Sequence, residues 1–344
     1  MEARDHRIGM SPRRFALLAL LVALAVCAQQ NAAEALDHLK VGGLRIASGS
    51  YTYIAKEKGY YAAEGLDVDL VPFDAGQPVA VATVSGDIDI GTAGVTSALY
   101  TLAGEGVLKI IGGSTYDSPG FHGSTFLASN RAYAAGLRNL KDLPGHSIGL
   151  TQIGSSYHYT VGLIADKYHI DLRSLRLMPL QSMSNIASAV AGGQTDAAVL
   201  VGPLAQTLLQ HEKARLLAYI GDEIPWQVGV IFTSTKMANG KRDLLKRFLR
   251  ATRRGSRDYY DAFIDKTGKR KDGSSAPAIL KLVSEFVGQS PEQVEQEIGY
   301  IDPENRVDVQ DVQRQISWYR SQGMIKRKFD ADQVLDMGYV LPMH

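Results

Sequence analysis

Gly154-Ser155-Ser156 precedes a run with helical spacing that reaches His169, an order of residue types suited to holding a negative charge. With Ser155 as the N-cap, the backbone N–H groups of Ser156, Tyr157 and His158 point outward, and the helix dipole adds partial positive charge there. The same residues also read as a plain serine cap that serves only its own helix. Thr92 and Thr96, with Gly94 between them, flank a second helix start. Two such starts facing one cleft would bind a carboxylate or sulfonate with no cationic side chain. His158 has three open roles: donor to a ligand, base, or polar contact beside the helix start. Its distance of two or three residues from the serines does not make a nucleophile–base pair.

The elements that must position these residues alternate. Strand patterns at 39–47, 66–71 and 87–91 alternate with helical patterns at 54–63, 78–84 and 95–103. The alternation then recurs, with strands at 147–150, 174–180 and 196–201 and helices at 155–169 and 186–192. Such an order predicts an α/β fold with mainly parallel sheets and right-handed crossovers. Two apolar connectors, 124–129 and 227–234, read as ordered hinge strands between the halves, and from Lys241 onward the pattern is helical and amphipathic. The charge run 269–273 reads as a solvated loop.

Open parallel sheets bind ligands outside the carboxyl ends of their strands. The loops leaving those ends therefore supply the candidate ligand-binding residues: Ser48, Ser50, Tyr51, Thr92, Gly94, Tyr116, Gly154, Ser155, Ser156, Tyr157, His158 and Gly202. Hydroxyls, glycines and aromatic rings dominate, and none of the quoted loop residues is Asp, Glu, Lys or Arg. Acid–base catalysis by paired carboxylates gains no support, so no catalytic residue is assigned. Tyr51, Tyr53, Tyr116, Phe121, Tyr157 and Trp226 suggest aromatic walls for a flat or partly apolar ligand, although each alone reads as core or rim. The scattered histidines show no His-x-x-x-His spacing, so neither a metal nor a cofactor is expected.

The chain has 344 residues, with Lys+Arg 37 against Asp+Glu 36, so a nonspecific nucleic-acid binder is not expected. Its length suggests two domains. Arg4, Arg7, Arg13 and Arg14 precede an uncharged apolar run at 15–28, which is too short to cross a bilayer and fits a secretory signal. Ala33-Glu34-Ala35 places cleavage after Ala35, and a buried apolar helix is the alternative for the run. Lipid attachment at the lone cysteine, Cys27, is disfavoured because Val26 stands where a small residue is expected. Twin-arginine export through Arg13-Arg14 is disfavoured too, which leaves ordinary secretion and a mature chain without cysteine.

The motifs resemble those of a known family. Tyr53 to Tyr61 (YIAKEKGYY) followed by Glu64-Gly65-Leu66-Asp67-Val68 resembles the opening of periplasmic solute-binding proteins of the nitrate/sulfonate/taurine, or NMT1/THI5-like, class. Ser85 to Gly91 (SGDIDIG), Leu140 to Gly149 (LKDLPGHSIG) and Gly193 to Ala198 (GQTDAA) resemble its later motifs in the same order. The resemblance implies a type II periplasmic binding protein, two Rossmann-like lobes joined by two hinge strands. Lobe one would be 36–123 with 235–344, and lobe two 124–234. It implies a monomeric periplasmic component, not an enzyme, that closes on a small solute and docks on an ABC permease and its ATPase. A sensor as the recipient is a variant with the same sequence appearance. Val201-Gly202-Pro203 departs from relatives that carry an acidic residue or tryptophan there, so no one substrate transfers. The aromatic loops favour an organic anion, an aromatic carboxylate or sulfonate; the alternatives are taurine or an alkanesulfonate, nitrate, and a thiamine-precursor pyrimidine. Relatives on the same fold include two enzymes, a cysteine-dependent desulfinase and a pyrimidine-precursor synthase with a cysteine-rich motif, and the mature chain has no cysteine; an enzyme with another nucleophile is the less favoured alternative.

Overall fold

The structure is a computed structural model that describes residues 36–343. The expected signal segment, with Cys27 and the arginine pair, lies outside the described residues. Among the latter, no helix is long and apolar enough to cross a membrane.

The strands are β1 (Asp37–Gly43), β2 (Leu66–Pro72), β3 (Ile90–Gly94), β4 (Leu108–Gly113), β5 (Thr115–Asp117), β6 (Ser124–Ser129), β7 (Ser147–Leu150), β8 (Arg176–Pro179), β9 (Ala197–Val201), β10 (Ala214–Tyr219), β11 (Trp226–Gln227), β12 (Gly229–Ser234) and β13 (Tyr300–Ile301). The helices that matter here are α1 (Tyr51–Glu57), α2 (Gly76–Ser85), α3 (Ser97–Gly104), α4 (Ser156–Tyr168), α5 (Met183–Ala191), α6 (Gly202–Gln210), α7 (Arg242–Phe263), α8 (Ala276–Val287) and α9 (Val309–Ser321).

Two five-stranded sheets carry the fold, ordered β2-β1-β3-β12-β4 and β10-β6-β9-β7-β8. In the first, β1 runs parallel to β2 and β3, and β12 is antiparallel to both β3 and β4. In the second, β7 runs parallel to β8 and β9, and β6 is antiparallel to β9 and β10. The two connectors predicted from sequence are thus strands inside the sheets. The chain passes between the sheets next to β5 and β11, and β5 pairs with both β11 and β13 in a small third sheet. β12, at the end of the segment assigned by sequence to the second lobe, pairs within the first sheet.

Local sequence explains the elements. Leu66 and Val68 of β2 are buried while Asp67 and Asp69 face out, as strict alternation requires. The expected helix at 54–63 is two helices, because Gly59 adopts φ 70° and breaks it after α1. The expected strand at 87–91 lies instead at Ile90–Gly94. Asp89 accepts from the Lys40 amide at 2.8 Å and Asp87 from Ser85 at 2.7 Å, so both carboxylates serve the turn. The amphipathic helix α7 buries Leu245, Phe248, Leu249, Tyr259 and Phe263 against α1 and α8. Its Gly255 allows the closest approach: a Cβ there would sit 2.2 Å from the Tyr51 carbonyl oxygen. Gly255 thereby sets how deeply α1, and Tyr51 with it, sits.

Candidate functional site

A cleft opens at the carboxyl ends of the parallel strands of both sheets, where α/β sheets bind ligands. It holds about 910 Å³ of empty space, its open mouth included. One wall comes from the first sheet: Ser48, Tyr51, Gly76, Gln77, Thr92, Gly94 and Thr96. The facing wall comes from the second: Thr151, Gln152, Ser155, Ser156, Tyr157, Met183 and Val201. Residues 114–117 and 123–124 of the passage between the sheets form the floor.

Helix α4 begins as its sequence predicts. The Ser155 hydroxyl accepts from the His158 amide at 3.2 Å. That leaves the amides of Ser156 and Tyr157 without an acceptor among the described residues, aimed at the cleft side. Opposite, Gly94 approaches so closely that a Cβ there would lie 2.9 Å from the Ser156 Oγ. The start of α2, with Gly76 and Gln77 on the wall and no side-chain cap, adds a second set of helix-terminal N–H groups. The start of α3 is closed off, because Thr96 caps the Leu99 amide at 3.0 Å and the Ser97 amide donates to the Gly154 carbonyl at 2.8 Å.

Eight of the twelve candidates line the cleft: Ser48, Tyr51, Thr92, Gly94, Tyr116, Ser155, Ser156 and Tyr157. The Tyr51 hydroxyl is buried without a hydrogen-bond partner among the described residues, beside the hydroxyls of Thr92 and Ser114. Burial pushes its ionisation, and that of Tyr157, far above the ordinary tyrosine range. Tyr116 turns its hydroxyl away, donating to the Arg306 carbonyl at 2.5 Å.

The other four stand behind the wall. Ser50 donates to the Ala47 carbonyl at 2.6 Å and shapes the turn before α1. The Gly154 amide donates to His158 Nδ1 at 3.0 Å, so these two residues complete each other behind the start of α4. Burial pulls the His158 imidazole down to about 4, which keeps it neutral and an acceptor. Gly202, at φ 62°, opens α6 next to the Glu297 carboxyl. Of the three other aromatics, Tyr53 stacks on Phe286, Phe121 packs edge-on against Tyr300, and Trp226 is buried behind the floor.

Two carboxylates also line the cleft that sequence reasoning missed. Asp74 is exposed at the rim, and Asp117 is buried in the floor. Asp117 accepts from the Trp226 indole N–H at 2.9 Å, and burial lifts it to about 6. Asp117 directly follows the loop 114–116, so reading one residue further would have found it. Among the described residues the lining contains no Lys, Arg or His. Among the described residues no group of three His, Cys, Asp or Glu side chains is placed to hold a metal.

The sequence profile of the family described as "NMT1/THI5 like" matches residues 50–262, more than half of the chain. A "Putative binding protein" of Brucella abortus (strain 2308) is 32% identical over 163 residues, 47% of this chain and 47% of that one. The chain thus spans about half the length of the curated relatives it matches. The alkanesulfonate-binding protein SsuA from Xanthomonas axonopodis pv. citri, solved with MOPS, superposes with a TM-score of 0.70 at 21% identity, over 90% of this chain and 100% of that one. The periplasmic nitrate-binding protein NrtA from Synechocystis PCC 6803 superposes with a TM-score of 0.65 at 13% identity, over 86% and 84%. At those identities the likeness shows the fold alone, that of the periplasmic binding proteins. With the profile match it places the sequence: the chain belongs to the NMT1/THI5-like family.

Proposed function

We propose that this protein is the extracytoplasmic solute-binding component of an ABC importer. It captures a small organic anion in the cleft, closes on it and presents it to a membrane permease. Residues 36–123 with those from about 229 onward form one lobe, and those from 124 to about 228 the other, following the membership of the two sheets. The observation that carries the reading is the start of α4, where the Ser156 and Tyr157 amides have no acceptor among the described residues and the Ser156 side chain lies against Gly94 of the other sheet. A carboxylate or sulfonate head held there touches both lobes and so favours the closed form. Tyr51, Tyr116 and Tyr157 wall the organic body, and the orphaned Tyr51 hydroxyl awaits a polar atom of the ligand.

One observation supports a second reading of the ligand. Asp74 and Asp117 line a cleft that has no cationic side chain, so a group with N–H donors suits the floor better than a second anionic group. Taurine, with its ammonium, and aminopyrimidines carry such donors; benzoate- and phthalate-like acids do not. Nitrate leaves the aromatic walls unused.

A thermal-shift screen decides between these readings, because a ligand specific to the native state raises the melting temperature. The panel holds benzoate- and phthalate-like acids, alkanesulfonates, taurine, nitrate and aminopyrimidines. A shift with aromatic acids alone supports the first reading, and a shift confined to taurine or aminopyrimidines supports the second. Turnover of a bound compound, seen by mass spectrometry, would replace transport with an enzymatic role.

A further inference from the structure

Glu297 is 2% exposed, and neither of its carboxyl oxygens has a hydrogen-bond partner among the described residues. It sits where the segment after the one-turn helix Pro291–Glu295 meets α6 of the other lobe. Gln293 Nε2 contacts Gln210 Oε1 at 3.1 Å, Gln206 Nε2 donates to the Gln296 carbonyl at 3.4 Å, and a Cβ at Gly202 would lie 3.1 Å from Glu297 Oε2. The contact ends at the cleft, since Gly123 and Gly299, packed against each other beside Glu297, both line it.

We propose that Glu297 is a proton-operated latch on closure: a neutral carboxyl seats the 293–299 segment against α6, and an ionised one releases it. The proposal rests on the opening and closing of the cleft advanced above.

A helix start ordinarily welcomes a carboxylate, but this one has little to offer. The Gly202 amide is turned to the Gly123 carbonyl at 3.4 Å, and Pro203 has no N–H. The dipole contributes about 0.3–1 kcal/mol at typical sites, whereas an ionised carboxylate buried without hydrogen bonds costs several kcal/mol. Burial therefore wins and lifts Glu297 to about 8, with no charged group contributing. The groups facing it are neutral: Ile46, Gly202 and Gln206, with Tyr259 of α7, whose hydroxyl donates to the Gly299 carbonyl at 3.1 Å, the titratable neighbour. His122, next to Gly123, stacks on Tyr219 with ring centroids 3.7 Å apart, and Glu295 is exposed.

The opposite contact between the lobes is of another kind. Tyr159 of α4 is enclosed in one apolar cluster with Ile316 and Tyr319 of α9 and with Trp226. That contact holds titratable groups of its own: Asp117 on the Trp226 indole, His158 edge-on against Trp318, and Asp311 of α9, which accepts from the Gln227 amide. Asp117 at about 6 and His158 at about 4 titrate below Glu297, so the interval from about 6 to 8 reports the 293–299 contact.

The sign follows from linkage. The Glu297 carboxyl holds its proton more tightly in the closed form than in the open form, where solvent returns it toward the ordinary value of 4.5. Closure is then fully favoured below that value and weakens, by at most about tenfold per pH unit, as pH rises to about 8.

Two measurements on the ligand-free protein test the latch. Carbon-13 NMR of Glu-labelled protein should show one δ-carbon titrating well above the ordinary carboxylate range, and Glu297→Gln should remove it; no such resonance overturns the proposal. Hydrogen exchange at the Leu204 and Ala205 amides, corrected for intrinsic rate, should quicken by tenfold or more from pH 5 to pH 8.5 in the native protein and stay flat in Glu297→Gln. Equal pH dependence in the two overturns it, and the NMR titration decides should the variant not fold. A failed solute screen would overturn the transport reading and leave both readouts intact, so the two failures are distinguishable.

Discussion

The Tyr319 hydroxyl donates to the Ser155 carbonyl at 3.0 Å, which ties α9 to the residue that caps α4. Both side chains are buried, and the same carbonyl accepts the first helical bond, from the Tyr159 amide at 3.1 Å. The anchor is therefore supplementary. Tyr319→Phe should cost about 1 kcal/mol of stability, the usual value of one hydrogen bond, and lower the melting temperature by a few degrees. A ligand that lands on the Ser156 and Tyr157 amides should also bind more weakly. Unchanged affinity at a lowered melting temperature would confine Tyr319 to stability.

Ser156→Asp separates fold from binding. A carboxylate at the first position of α4 suits the dipole and should leave stability unchanged or raise it by about 0.3–1 kcal/mol. The same charge occupies the place proposed for the anionic head. Calorimetric titration with any acid that shifts the native protein should show binding lost in the variant. Retained affinity would remove the head group from α4.

Asp117 makes stability depend on pH in a stated direction. Its folded value of about 6 lies above the ordinary 3.8, so its contribution is whole below 3.8 and is lost as pH climbs to about 6. The loss amounts to about 3 kcal/mol at 1.36 kcal/mol per unit. Asp117→Asn, with its amide oxygen still accepting from Trp226, should therefore be more stable than the native protein at pH 7.5 and show no such gain at pH 3.5. Urea midpoints at the two values check it. If the ligand carries N–H donors, this variant should also bind it at least tenfold more weakly.

Gly255→Ala tests how Tyr51 is placed. The added methyl would collide with the backbone of α1 at Tyr51, and such overpacking costs about 1–3 kcal/mol. Any relaxation moves α1 and carries the Tyr51 hydroxyl with it. Ligand affinity should fall although Gly255 lies outside the cleft, as paired melting and binding measurements would show.

Much of the fold was legible because β2, β7 and β9 pair apolar patterning with helices that follow at close range. β3 was misplaced because its residues, Ile90-Gly91-Thr92-Ala93-Gly94, are mostly small, are buried or half-buried on both faces and carry no alternation, whereas the neighbouring Asp-Ile repeat imitates one. Candidate residues such as Tyr51, Thr92 and Ser155 were found because strand ends announce themselves locally. His158 was a candidate whose role local sequence could not decide, since its acceptor geometry depends on a turn at Gly154. Glu297 was out of reach altogether. Its meaning arises from Gly202, some ninety residues earlier, and no local pattern links the two.

The position of β12 between β3 and β4 has a consequence for how the chain acquires its shape. The first sheet cannot close until residues 229–234 exist, so β3 and β4 are left with bare edges while the whole second sheet is being made. Pairing of such sequence separation is slow, and an unpaired edge invites wrong partners. The early half of the molecule is therefore a waiting half: the sheet that begins first is completed last, after the second sheet already has all its strands, and it stays loose and protease-sensitive until then.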